Sequence, residues 1–131
     1  MARYFVTDLD AAISFYRDAL GFGAVIRPAP DFAMLTRDRL QLLLSIPGPR
    51  HAMADGSLPA PGGSGRILIE VDDLEAAVGD LDRRGVPFRR RIEPGITVRQ
   101  AVVEDPSGNF VELFERLGDA RNADHADIKP P

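Results

Sequence analysis

Side chains able to do acid–base, nucleophilic or metal chemistry are few in this chain. There is no cysteine, so thiolate nucleophiles, disulfides and thiolate metal sites are excluded. The two histidines are His51, in a Pro/Gly-rich stretch, and His125, near the C-terminus. Both read as solvated loop residues. His51 is the better placed of the two to act as a base or ligand, because a loop can fold over a cavity. Glu70 and Glu112 lie in two apolar segments and could converge across neighbouring strands, the arrangement that paired acid–base catalysis uses. No nucleophile with an adjacent base accompanies them. The densest charge is cationic, at Arg83, Arg84, Arg89, Arg90 and Arg91. On a strand this run reads as a solvated edge that discourages edge-to-edge pairing.

The elements that must position these residues occur twice. Val6-Thr7-Asp8-Leu9-Asp10-Ala11-Ala12 returns as Val71-Asp72-Asp73-Leu74-Glu75-Ala76-Ala77, followed by Ile13 and Val78 at matching positions. Each copy reads as a strand end, a helix cap and a helix start, which implies a duplicated module. In the first, Arg3 to Val6 is a strand and Thr7 or Asp8 caps a helix, with Asp10 completing the box. Leu9, Ile13, Tyr16 and Leu20 form its apolar stripe and Gly21 ends it. Ala24 to Ala29, Asp31 to Thr36 and Leu40 to Ile46 are three further strands. Residues 47–65 are a Pro/Gly-rich loop.

The second module repeats the order. It runs as strand Arg66 to Val71, a helix capped by Asp72 with Glu75, and strands Pro87 to Ile92, Thr97 to Val103 and Asn109 to Glu115. The expected architecture is therefore α+β, two β-α-β-β-β modules at residues 1–46 and 66–116 of a single domain 1–116. A polar tail, 117–131, follows.

A 131-residue chain that is 44% hydrophobic can bury one domain-sized core. Its formal net charge of -4 gives no electrostatic case for nucleic acid or an anionic membrane, and mildly favours cationic ligands. No apolar run approaches a membrane span and no signal core opens the chain, so a cytoplasmic location is expected.

The repeat, the Phe15-Tyr16-Arg17-Asp18-Ala19-Leu20-Gly21-Phe22 helix end and the closing Asp105-Pro106-Ser107-Gly108-Asn109-Phe110-Val111-Glu112-Leu113-Phe114-Glu115 together resemble the vicinal oxygen chelate superfamily, which groups glyoxalases, bleomycin resistance proteins and extradiol dioxygenases. The resemblance covers about residues 1–116. It implies that each module curls its sheet into half of a cup, and that homodimers are common. It also implies a divalent metal held by four side chains, two per module. Carried over position by position, those slots are Met1, Leu42, Arg66 and Glu112. Leucine cannot coordinate a metal, and a guanidinium offers no lone pair and repels a cation. One carboxylate does not make a specific divalent site. No metal and no cofactor are expected.

Glu112 remains open between a vestigial ligand, an ion pair with Arg66 or Arg3, and a contact to a cationic ligand. Alternation sets Phe110, Glu112 and Phe114 on one face of the last strand, and Arg66, Leu68 and Glu70 on one face of its neighbour. Leu40, Leu42 and Leu44 would line the same cup from the first module. Phe5, Leu42, Arg66, Leu68, Glu70, Phe110, Glu112 and Phe114 are the expected ligand-binding residues. The occupant would be a small organic molecule, cationic or aromatic, unless these side chains simply fill the space.

Three functions follow from the resemblance. The first expectation is a non-catalytic binding protein that sequesters an antibiotic-like natural product, as bleomycin- and mitomycin-resistance proteins do, working as a cytoplasmic homodimer with no nucleic-acid or membrane partner. The second is a metal-dependent glyoxalase- or dioxygenase-type enzyme using Glu112. The third is a structural or regulatory dimer with a filled cup.

Overall fold

The computed structural model describes residues 1–63, 65–93 and 97–117. His125 and all of the expected tail except Leu117 lie outside the described residues. The first module contains β1 (Ala2–Phe5), α1 (Leu9–Ser14), a π-helical turn that continues α1 (Phe15–Ala19), β2 (Gly23–Ala29), β3 (Phe32–Arg37) and β4 (Leu40–Ser45). The second contains β5 (Arg66–Glu70), α2 (Leu74–Arg83), β6 (Phe88–Glu93), β7 (Val98–Glu104) and β8 (Phe110–Arg116). The strands form two four-stranded sheets in the orders β1-β4-β3-β2 and β5-β8-β7-β6. The duplicated β-α-β-β-β order read from the sequence is therefore the observed one. Among the described residues no helix is long and apolar enough to cross a membrane.

The repeat extends to local detail. The caps are Asp8, whose carboxylate accepts from Ala11 N at 3.0 Å, and Asp73, which accepts from Ala76 N at 3.1 Å. The expected cap at Asp72 is thus one residue early. A cap must reach the N–H three residues on, and the helix begins at Leu74. Gly21 and Gly85 both end their helices at φ +74°, a left-handed conformation in which a Cβ would be strained. One departure lies in the 47–65 loop, where Pro49–His51 forms a single 3-10 turn.

The described chain divides into two compact units, residues 1–65 with 104–110, and residues 66–103 with 111 onward. In the first, α1 packs on β3 and β4. Tyr4, Val6, Leu9, Ile13 and Tyr16 bury their side chains with Ala33, Leu35, Leu42 and Leu44. In the second, α2 contributes Leu74, Val78 and Leu81 to a core that also holds Ile67, Ile69, Val111 and Leu113.

The turn at residues 105–109 belongs to the first unit and carries a buried polar network. Asp105 and Asn109 are almost fully buried. The Asp105 carboxylate accepts from the Tyr16 hydroxyl at 2.8 Å, from Ser107 N and Asn109 N at 2.8 Å each, and from Asn109 Nδ2 at 2.9 Å. Asn109 Nδ2 also donates to Phe5 O at 2.9 Å, and its Oδ1 accepts from Gly62 N at 2.7 Å. Thr7 does not cap the helix; its N–H donates to Ser107 Oγ at 2.9 Å. The motif Asp-Pro-Ser-Gly-Asn is thus a buried polar staple rather than a merely exposed hairpin loop.

Candidate functional site

Pairing register decides which side chains share a face of the first sheet. β1 and β4 run parallel with Arg3 opposite Leu43 and Phe5 opposite Ser45. β3 and β4 run antiparallel with Phe32 opposite Ser45 and Met34 opposite Leu43. Since directly paired residues point the same way, Arg3, Phe5, Phe32, Leu43 and Ser45 lie together, on the face away from α1. The alternating set, Tyr4, Leu35, Leu42 and Leu44, is the core.

This corrects one of the sequence expectations. Leu42 is fully buried in the core and cannot line an open cavity; Leu43 occupies that face instead. The same correction follows from the repeat. Val6 N donates to Ser45 O at 2.9 Å, and Val71 N donates to Phe114 O at 2.8 Å, so Ser45 matches Phe114 and Leu43 matches Glu112. Leu42 and Leu43 differ by a single position, and a one-residue slip flips every side chain of a strand to the other face.

The exposed face of the first sheet carries a cavity of about 430 Å³ lined by Arg3, Phe32, Leu43, Ser45, Arg50 and His51. The Pro49–His51 turn forms part of its wall. The His51 ring packs edge-on against Phe5, with centroids 5.1 Å apart, and Gly48 N donates to its Nδ1 at 3.1 Å. Arg3 lies over the Phe5 ring at 5.8 Å and Arg50 over Phe32 at 5.6 Å. Arg50 also stands 3.6 Å from Asp31. None of the expected ligand-binding residues lines this cavity; Phe5 stands behind its lining, against His51 and Arg3. Phe32, Leu43, Ser45 and Arg50 were missed, although alternation outward from Phe5 with the correct register would have found the strand members.

In the second unit, Arg66, Leu68 and Glu70 share the exposed face of β5, and Leu68 is 55% exposed. Arg66 donates to Glu112 Oε1 at 3.4 Å, and Arg116 donates to Glu70 Oε1 at 3.4 Å. Glu112 and Phe114 are half-buried on β8. Phe110 stands with the first unit, where its carbonyl accepts from the Tyr4 hydroxyl. The arginine run is largely ion-paired: Arg91 grips Asp82 with two bonds of 2.8 and 2.9 Å, Arg84 bonds Asp80 at 2.9 Å, and Arg90 stands 3.3 Å from Glu93.

With Leu43 in place of Leu42, the four metal slots implied by the resemblance are Met1, Leu43, Arg66 and Glu112. They do not fit a divalent metal. The one carboxylate already carries a guanidinium, which supplies the positive charge a cation would otherwise bring. Among the described residues no group of three or more His, Cys, Asp or Glu side chains is placed to hold a metal.

Comparison with known proteins agrees with this architecture. The family model for the glyoxalase/bleomycin resistance protein/dioxygenase superfamily matches residues 1–113. The chain is 31% identical to the protein YaeR of Escherichia coli K12, over 84% of this chain and 89% of that protein. The crystal structure of lactoylglutathione lyase from Agrobacterium tumefaciens is similar at a TM-score of 0.68 and 26% identity, covering 88% of this chain and 91% of that one. TnmS3, an antibiotic-binding protein from a Streptomyces species, shares the fold at a TM-score of 0.68 and 24% identity, covering 88% of this chain and 92% of its own.

Proposed function

The chain belongs to the glyoxalase/bleomycin resistance protein/dioxygenase superfamily, and from that premise we propose that it is a non-catalytic binding protein that sequesters a small, antibiotic-like organic molecule. One observation carries the reading: Arg66 stands 3.4 Å from Glu112, at two of the four positions that the family resemblance implies as metal slots. Sequestration protects by mass action and needs no such centre. That the same fold serves an antibiotic-binding protein in Streptomyces supports it. The proposal includes a homodimer in the cytoplasm, to be tested by light scattering and by fractionation. It also includes Arg66, Leu68, Glu70, Phe110, Glu112 and Phe114 as ligand contacts, to be tested by their substitution.

A second reading, a metal-dependent lyase, is favoured by the 26% identity to lactoylglutathione lyase. Elemental analysis of tag-free protein, with re-addition of Ni, Zn, Mn and Fe, separates the two. The binding reading expects no stoichiometric metal and no thermal stabilisation on re-addition. Near-stoichiometric metal, lost in Glu112→Ala, would overturn it in favour of the lyase.

A further inference from the structure

The cavity of the first sheet has a chemical bias that the binding reading leaves unspecified. Its polar lining consists of Arg3, Arg50, His51 and Ser45, and none of its lining side chains is a carboxylate. Asp31, an exposed carboxylate outside the lining, stands 3.6 Å from Arg50. Among the described residues Arg3 forms no ion pair; its recorded partner is the Phe5 ring. Each guanidinium lies over an aromatic ring, Arg3 on Phe5 and Arg50 on Phe32, a contact with the ring face that does not itself consume N–H donors.

His51 adds a donor of fixed identity. Because Gly48 N donates to Nδ1, a neutral His51 ring must carry its proton on Nε2. Ser45, almost fully buried, lines the floor. Leu43 and Phe32 supply an apolar wall, and the volume of about 430 Å³ falls within the size range of small-molecule sites.

We propose that this cavity binds an aromatic carboxylate, with the carboxylate held by Arg3 and Arg50 and the aromatic body packed on Phe32 and Leu43. The inference rests on the small-molecule-binding reading above and narrows it. A cationic ligand is disfavoured in this cavity, since two guanidinium groups in its lining repel an ammonium ion. The net acidity of the chain is no guide to this cavity, because overall charge says nothing about the local field of a pocket.

Three probes of one shape test it on the full chain: naphthalene-2-carboxylate, its neutral carboxamide, and naphthalen-2-ylmethylammonium. Binding is read by calorimetry, and its place by amide chemical shifts of Leu43, Ser45 and His51. The carboxylate is expected to bind at least about tenfold more tightly than the carboxamide, and the ammonium no better than the carboxamide. Arg3→Gln and Arg50→Gln should each remove most of that preference. If the carboxamide or the ammonium binds in the cavity as tightly as the carboxylate, the anion inference falls and the binding reading stands. If none of the three shifts the cavity amides at millimolar concentration, the inference also falls, and the binding reading is judged by the metal analysis alone.

Discussion

Tyr16→Phe and Asp105→Ala, made singly and together, test the buried staple of the closing turn. Asp105 is 4% exposed and accepts four hydrogen bonds, from the Tyr16 hydroxyl, Ser107 N, Asn109 N and Asn109 Nδ2. Tyr16→Phe removes one donor and leaves no other donor orphaned, so it should cost about 1–2 kcal/mol. Asp105→Ala strands the Tyr16 hydroxyl and Asn109 N inside the protein, while Asn109 Nδ2 keeps Phe5 O. Two buried unpaired donors at about 1–3 kcal/mol each give a loss of roughly 3–5 kcal/mol. In the double variant the stranded hydroxyl no longer exists, so the combined cost should fall short of the sum by about 1–3 kcal/mol. Urea unfolding followed by circular dichroism measures all four corners of the cycle. Costs that add within about 0.5 kcal/mol would refute the staple.

The same hydroxyl predicts an alkaline limb. Burial first, then the charge of Asp105 and its hydrogen bond, hold the Tyr16 pKa far above its ordinary 10.0. The folded state therefore keeps this proton where the unfolded chain releases it. Stability is unaffected below about pH 10 and falls as pH rises beyond it, by up to about 1.4 kcal/mol per unit. Tyr16→Phe should flatten that slope. An alkaline limb unchanged by the substitution would place the ionisable group elsewhere.

Two further outcomes check the register and the second unit. Leu42→Ala should cost about 2–5 kcal/mol and Leu43→Ala under about 1.5 kcal/mol in urea unfolding, because the first opens a core cavity and the second trims an accessible wall; the reverse order would restore the sequence-based alignment. Glu115 accepts from Leu74 N at 2.7 Å and from Arg99 at 3.2 Å, and these contacts, the backbone bond foremost, lower its pKa below 4.5. Its contribution is present above about pH 4.5 and is lost as pH falls through the folded value, so Glu115→Gln should flatten the acid limb; superimposable acid titrations of the two proteins would sink this assignment.

Much of the fold was legible in the chain because its signals are local. The Val6–Ala12 and Val71–Ala77 echo, the glycines after each helix and the period-2 apolar strands each act within a few residues, and together they give the element order. Caps were legible only to within one residue, since Asp72 and Asp73 are chemically alike and the helix start decides between them. That a guanidinium such as that of Arg66 offers a metal no lone pair is likewise readable from the sequence, because it depends on the chemistry of one side chain.

What the sequence could not determine was pairing. Leu40 to Leu44 is apolar on both faces except at Gln41, so it carries no alternation to tell core from cavity, and only the opposition of Leu43 to Arg3 and Met34 fixes the answer. Likewise, nothing local joins Asp105 to Tyr16 or Asn109 to Phe5, contacts that close between residues about a hundred positions apart. The cationic cavity belongs to the same class. Arg3, Phe32 and Arg50 are unremarkable one by one, and their meeting is decided by strand order and by the Pro49–His51 turn, which bring distant side chains to one face.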